Sequence, residues 1–238
     1  MKGARGALVT FILAGGAGTR LRSVSADRPK ALMPVGGEPF LQRLLKQLAR
    51  QQLDDVVLCL GYGAEAIIAY CEAHPLPSPR LYFSVEAEPR GTAGALREAE
   101  NYWSDFNLIL NGDTECPFAF QPFYEYHRTM CADLSIGLAP AADSTRFGRV
   151  VTGADGRVET FLEKNSVPHD GFVNAGMYLS NRRSLEEIPR RGAYSVERDW
   201  LPGLLRSGFA LYALPMAESF VDIGTPEDYW RLANREVK

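Results

Sequence analysis

The chain has 238 residues, 46% of them hydrophobic and 23% charged, the range of an ordinary globular protein with enough apolar material for a sizeable core. Twenty-six Lys and Arg against 29 Asp and Glu leave a net charge of −3, without the basic excess of a nucleic-acid binder but with room for a local basic pocket for a small anion. The four cysteines, Cys59, Cys71, Cys116 and Cys131, form no C-x-x-C pair, so zinc and dithiol chemistry are unsupported and reduced thiols in the cytoplasm are expected.

The apolar run Ala7–Ala14 is too short to cross a membrane and lacks a signal-cleavage pattern, so it is expected as a buried strand over Leu8–Leu13. Further strands are expected at Val56–Leu60, Leu81–Val85, Leu108–Leu110 and Leu134–Leu138. Helical patterns fall between them at Phe40–Gln51, Ala64–Ala73, Ala93–Trp103 and Phe120–Met130. In the first of these, Leu41, Leu44, Leu45 and Leu48 recur at the spacing of one buried helical face. Strands alternating with helices predict an α/β fold with a mostly parallel sheet covered on both faces.

The second half reads differently. Arg149–Thr152 and Arg157–Phe161 flank Ala154-Asp155-Gly156 and predict a hairpin. Phe172–Leu179 is a strand, followed by two helices and a strand at Phe209–Leu214. Thr225-Pro226-Glu227 opens a last helix, with a capping hydroxyl and a proline in the first turn. With no repeat and no long linker, residues 1–238 are expected to form one domain, whose C-terminal part supplies extra strands and a lid.

Open α/β sheets bind ligands at the carboxyl ends of their strands. Gly15, Gly16 and Gly18 follow the first strand, Gly61 the second and Glu86 the third; Asn111-Gly112-Asp113 follows the fourth. Glycine lets backbone approach a phosphate closely, and the cations Arg20 and Lys30 on the same loop suit a polyphosphate. Taken alone, each glycine reads equally well as a turn. A dinucleotide fingerprint fails at Gly16-Ala17-Gly18, where Leu21 replaces the third small residue. Gly61-Tyr62-Gly63-Ala64-Glu65-Ala66 fits that pattern but follows the second strand, so it is read as a strand–helix turn. A Walker A loop is absent.

Asp113 and Asp222 are acids beside glycine on short apolar stretches. Buried acids are costly unless paired or bound to a cation, and two carboxylates fit Mg²⁺, which takes its remaining ligands from substrate phosphates and water. A capping or turn aspartate is the competing reading for each. Glu163-Lys164 follows the hairpin and Asn174-Ala175-Gly176 lies in the next strand. A carboxylate and an amide can bind sugar hydroxyls and a lysine a phosphate, although Glu163-Lys164 alone reads as a surface ion pair.

In order along the chain, Gly15-Gly16-Ala17-Gly18-Thr19-Arg20-Leu21, Pro29-Lys30, Gly91-Thr92-Ala93-Gly94-Ala95, Asn111-Gly112-Asp113, Glu163-Lys164, Asn174-Ala175-Gly176 and Asp222-Ile223-Gly224-Thr225-Pro226 resemble the blocks of the sugar-1-phosphate nucleotidyltransferase family. The resemblance spans nearly the whole chain. It implies a Rossmann-like three-layer sandwich with a mostly parallel mixed sheet; with the chain ending at Lys238, the left-handed β-helix domain of longer members is expected to be absent. Within the family the sequence is most similar to D-glycero-α-D-manno-heptose 1-phosphate guanylyltransferases, which serve bacterial surface polysaccharide synthesis. Mannose-1-phosphate guanylyltransferases and short uridylyltransferases share most of the blocks.

The resemblance implies roles residue by residue. Leu13, Ala14, Gly15, Gly16, Gly18, Thr19, Glu86, Gly91 and Thr92 would bind the nucleotide, with Glu86 on the base. Arg20 would steady the departing pyrophosphate, and Lys30 would bind the reacting phosphates. Asp113 and Asp222 would hold Mg²⁺ at the α-phosphate. Gly112, Glu163, Lys164 and Asn174 would bind the sugar phosphate. A carboxylate at position 86 can accept from two N–H groups of guanine but from only one of uracil, which favours GTP. The expected partners are therefore GTP and a sugar 1-phosphate, with no nucleic acid and no membrane; a homo-oligomer is compatible with the sequence. A sugar phosphate is already ionised near pH 7, so no general base is needed, and none of His74, His127 and His169 sits in a motif.

Overall fold

The computed structural model describes residues 7–21, 23–24, 28–140, 148–162, 172–216 and 220–235. Its central sheet is built on the apolar runs. Strand β1 is Leu8–Leu13; the hairpin β2 (Pro34–Val35) and β3 (Glu38–Pro39) leads into helix α1 (Phe40–Arg50). Then follow β4 (Asp55–Leu60), α2 (Ala64–Ala73), β5 (Arg80–Val85), α3 (Gly91–Glu98), β6 (Phe106–Asn111), β7 (Thr114–Glu115) and α4 (Phe120–Thr129). The second half contains β8 (Leu134–Pro140), β9 (Arg149–Thr152), β10 (Val158–Leu162), β11 (Phe172–Asn181), α5 (Arg182–Glu186), α6 (Leu201–Arg206), β12 (Leu211–Pro215), β13 (Val221–Asp222) and α7 (Pro226–Arg235).

The order across the main sheet is β5-β4-β1-β6-β11-β8-β12. All neighbours from β5 to β6 are parallel, β8 and β12 are parallel, and β11 runs antiparallel between β6 and β8. The sheet is thus mixed but mostly parallel. The β9–β10 hairpin joins through the pairing of Arg149 with Val173 and through a bridge from Arg157 to Tyr212 of β12.

Side chains alternate across the sheet, and the two faces carry separate cores. Ile12, Val56, Leu58 and Leu108 face α1, α2, α4 and α7. Phe11, Val57, Cys59 and Ile109 face α3, α5 and α6. Helices on both faces make the three layers, as the alternating sequence pattern requires. Leu41, Leu44, Leu45 and Leu48 of α1 are all buried, each contributing about 2 kcal/mol of apolar burial. Thr225 caps α7 as expected, its Oγ1 accepting from the Asp228 N–H at 3.3 Å.

The elements differ from the sequence reading in three places. The helix expected over Ala93–Trp103 runs from Gly91 to Glu98 and tightens into a 3-10 turn at Glu100–Tyr102, where the Trp103 indole N–H donates to the Leu96 carbonyl at 3.0 Å. The two helices expected after β11 are the short α5 and a π-helical turn at Val196–Trp200 that runs into α6. The ribbon of β7 with β13 was not foreseen, because two residues per strand leave no periodicity to read.

Candidate active site

The chain proceeds outward from β1 through β4 to β5 and then returns to β6 on the other side of β1. That reversal leaves a crevice at the carboxyl ends of β1 and β6, the place where open α/β sheets bind ligands. A cleft of about 780 Å³ opens there. Leu13, Ala14, Gly15, Gly16, Gly18, Thr19 and Arg20 form one wall. Glu86, Gly91 and Thr92 form a second, and Lys30, Gly112, Asp113 and Asp222 a third.

The strand ends are knitted by backbone. The Ala14 N–H donates to the Cys59 carbonyl at 2.9 Å, the Tyr62 N–H to Gly15 at 3.1 Å and the Gly112 N–H to Leu13 at 2.9 Å. Two glycines are required by this crowding. A Cβ on Gly61 would stand 2.7 Å from Glu86 Oε1 and 2.9 Å from the Gly15 oxygen, and one on Gly112 would stand 2.6 Å from the Leu13 oxygen. Gly61-Tyr62-Gly63 is indeed a strand–helix turn, with Gly63 capping α2, although Gly61 and Tyr62 also line the cleft.

Glu86 lies at the end of β5, with its Oε1 against Gly15 and Gly61. Its Oε2 accepts from the Arg90 N–H at 3.1 Å. Burial pushes its carboxyl above the ordinary value, and the Arg90 bond opposes that rise. Gly91 and Thr92 open α3, and the Thr92 hydroxyl accepts from the Val196 N–H at 2.8 Å, fastening this wall to residues 194–196.

The two aspartates meet through β7 and β13. Asp222 pairs with Thr114 in the ribbon, and the Ile223 N–H donates to the Asp113 carbonyl at 2.9 Å. Ile223 is fully buried and anchors the turn. Between the carboxylates sits Lys30, carried on the 3-10 turn Lys30–Leu32; its Nζ is 2.6 Å from Asp113 Oδ2 and 3.7 Å from Asp222 Oδ1. Burial and the Asp113 charge raise the Asp222 carboxyl above its ordinary value, while Lys30, the Gly224 N–H at 2.6 Å and Arg20 pull it back.

Asn174 is not on the cleft wall. Its Nδ2 donates to the Tyr178 hydroxyl at 2.9 Å, and Tyr178 lines the cleft. A bulge in β11, where Asn174 pairs with Leu138 but Met177 with Gly137, brings the two side chains together. Burial, and then the charge of Glu197, push the Tyr178 hydroxyl well above its ordinary value. Tyr178, Ser195 and Glu197 are cleft residues that the sequence reading missed. Tyr178 lies two residues past the Asn174-Ala175-Gly176 block, but Ser195 and Glu197 lie on a turn without any motif. Glu163 and Lys164 fall outside the described residues. His74 caps α2 on the surface and His127 lies on the buried face of α4, its ring pushed down to about 4 by burial; neither lines the cleft.

The model of the nucleotidyl transferase family matches residues 9–238. The chain belongs to the nucleotidyl transferase family. It is 35% identical over 230 residues to the D-glycero-alpha-D-manno-heptose 1-phosphate guanylyltransferase of Aneurinibacillus thermoaerophilus, covering 96% of this chain and 97% of that protein. It is 33% identical to the mannose-1-phosphate guanylyltransferase of Mycobacterium tuberculosis over 92% of its own length but only 62% of that protein's. Among solved structures, HddC from Yersinia pseudotuberculosis superposes with a TM-score of 0.83 at 34% identity, covering 95% of this chain and 98% of that one. The same protein complexed with GMP-PN gives a TM-score of 0.82. A Bacillus anthracis structure at 22% identity and TM-score 0.84 shares the fold alone.

The donor set of this nucleotidyl transferase suits a hard divalent cation. Among the described residues, no group of three or more His, Cys, Asp or Glu side chains is placed to hold a metal by itself. Asp113 and Asp222 offer two carboxylates, one of them costly to keep ionised, in a cleft open to phosphate oxygens. No helix among the described residues is long and apolar enough to cross a membrane.

Proposed function

We propose that this chain transfers GMP from GTP to D-glycero-α-D-manno-heptose 1-phosphate, giving GDP-heptose and pyrophosphate, in the cytoplasm and as a single domain. The observation that carries the reading is one cleft with two chemically distinct ends. Glu86 stands behind the glycine loop at one end, and Lys30 lies between two aspartates at the other. Similarity to heptose 1-phosphate guanylyltransferases over nearly the full length of both chains supports the choice of substrates.

The chemistry follows from charge. A sugar phosphate oxygen, ionised at neutral pH, attacks the α-phosphorus in line, and pyrophosphate leaves. No side chain has to remove a proton, in keeping with a cleft without histidine among the described residues. The glycine loop and the α3 wall hold the nucleotide, and the Glu86 carboxylate accepts from guanine N1–H and N2–H₂. Arg20 neutralises the leaving pyrophosphate, and Lys30 exchanges its aspartates for phosphate oxygens when the triphosphate enters. Asp113 and Asp222 would hold Mg²⁺, which when bound supplies positive charge at the phosphates. Gly112, Asn174, Glu163 and Lys164 serve the sugar phosphate, Asn174 acting through Tyr178.

A second reading, mannose 1-phosphate as acceptor, is favoured by the similarity to the mycobacterial enzyme. Each NTP with Mg²⁺ and a panel of sugar 1-phosphates separates the readings by pyrophosphate release. The fastest release is expected with GTP and the heptose phosphate. Release with UTP but not GTP would overturn the base assignment, and faster release with mannose 1-phosphate would favour the second acceptor.

A further inference from the structure

Helix α1 carries three polar side chains in one row, Arg43, Gln47 and Gln51, spaced four residues apart beside its buried leucines. Each one bonds the segment that leaves Asp113. The Arg43 guanidinium grips Glu115 with two bonds, Nε to Oε2 at 3.2 Å and Nη2 to Oε1 at 2.7 Å. Gln47 Nε2 donates to the Cys116 carbonyl at 3.0 Å. Gln51, at the end of the helix, accepts from the Phe120 N–H. Steps along the helix thus match steps along residues 115–120.

Nothing in the chemistry of the cleft uses these groups, and both charges of the Arg43–Glu115 pair are largely shielded, with side chains 17% and 22% exposed. Their effect runs through the ribbon. Glu115 pairs with Val221, and its neighbour Thr114 pairs with Asp222, so holding Glu115 holds both aspartates. A ribbon of two residues per strand is too short to hold its own geometry. The same helix also fixes the other side of the cluster, because the Phe40 N–H donates to Met33, which ends the turn bearing Lys30. Helix α1 is thereby a common base for Lys30 and for the carboxylates it faces.

We infer that Arg43, with Gln47, is a positioning residue that sets the spacing of Asp113 and Asp222 against the bound phosphates. The planar fork matters more than the charge, because two parallel bonds fix Glu115 in angle as well as distance. This rests on the proposed function, in which those aspartates hold the divalent ion.

The test compares wild type with Arg43→Lys, which keeps the charge and loses the fork, and with Glu115→Gln. Four quantities are read: kcat, KM for GTP, Mn²⁺ affinity in the presence of GTP by electron paramagnetic resonance, and Tm. For Arg43→Lys, kcat falls about ten-fold or more and Mn²⁺ binding weakens several-fold, while KM for GTP changes by less than about three-fold. The double variant is no worse than the poorer single one, as for two halves of one contact. A role confined to folding would lower Tm yet leave kcat per folded molecule and Mn²⁺ affinity at wild-type values, and that result overturns the inference. Additive losses in the double variant overturn it as well. A wild-type chain that neither releases pyrophosphate nor binds Mn²⁺ with GTP overturns the functional reading instead, and this inference with it.

Discussion

Replacing Lys30 with methionine keeps the length of the side chain and removes the ammonium that lies between Asp113 and Asp222. Two effects of opposite sign are expected. At 3.7 Å and an effective dielectric of ~20, the attraction between the Lys30 ammonium and Asp222 is about 4 kcal/mol. Solvent reaching the partly exposed Lys30 and Asp222 side chains, 14% and 23% exposed, reduces this, leaving about 2 kcal/mol of competition that a divalent ion must overcome. Its removal should tighten Mn²⁺ binding by the nucleotide-free protein about 30-fold. Turnover moves the other way, because the cation at the reacting phosphates is lost, and kcat should fall about 100-fold or more. Equilibrium Mn²⁺ binding without nucleotide and pyrophosphate release with saturating GTP read the two effects separately. Unchanged or weaker Mn²⁺ binding together with near-normal turnover would refute both the position of Lys30 and its role.

The raised Asp222 carboxyl gives a pH signature. Its folded-state value lies above its unfolded value, so the folded state holds the extra proton between the two, and stability is lost as pH rises through that window. Asp222→Asn keeps an acceptor for the Gly224 N–H, so thermal denaturation at pH 7 should show an equal or higher Tm than wild type, with the difference closing towards pH 4 and turnover lost throughout. Glu86→Gln keeps the acceptor for Arg90 but loses the second oxygen for guanine; a steady-state comparison should show GTP losing about 1–3 kcal/mol of selectivity over UTP. Gly112→Ala drives a Cβ against the Leu13 carbonyl at the junction of β1 and β6; calorimetry should show destabilisation by about 1–3 kcal/mol, and an unchanged Tm would contradict the close approach.

Much of the architecture was legible because buried parallel strands are continuous apolar runs and α1 carries a clean helical stripe. The cleft residues Gly15, Lys30 and Asp113 were legible for a related reason: a glycine or a charge beside an apolar run breaks the hydrophobic pattern and stands out. What escaped is what only tertiary structure creates. The β7–β13 ribbon depends on residues more than a hundred positions apart. Tyr178 lies within the expected strand Phe172–Leu179 and is fully buried, and only the bulge at Asn174–Met177 shows its hydroxyl bonded to Asn174 beside the cleft. Glu197 reaches the cleft on a π-helical turn that no period in the sequence announces. Asn174, expected on sugar hydroxyls, stands off the cleft wall and donates to the Tyr178 hydroxyl, which lines it.

The most direct measurement is ³¹P NMR of a reaction containing the protein, Mg²⁺, GTP and D-glycero-α-D-manno-heptose 1-phosphate with ¹⁸O in its phosphate. Equal amounts of pyrophosphate and GDP-heptose should appear, with all the ¹⁸O in the nucleotide sugar and none in pyrophosphate. Free GMP in place of the sugar nucleotide, ¹⁸O in pyrophosphate, or no reaction with GTP while UTP is consumed would contradict transfer of GMP to a sugar phosphate in this cleft.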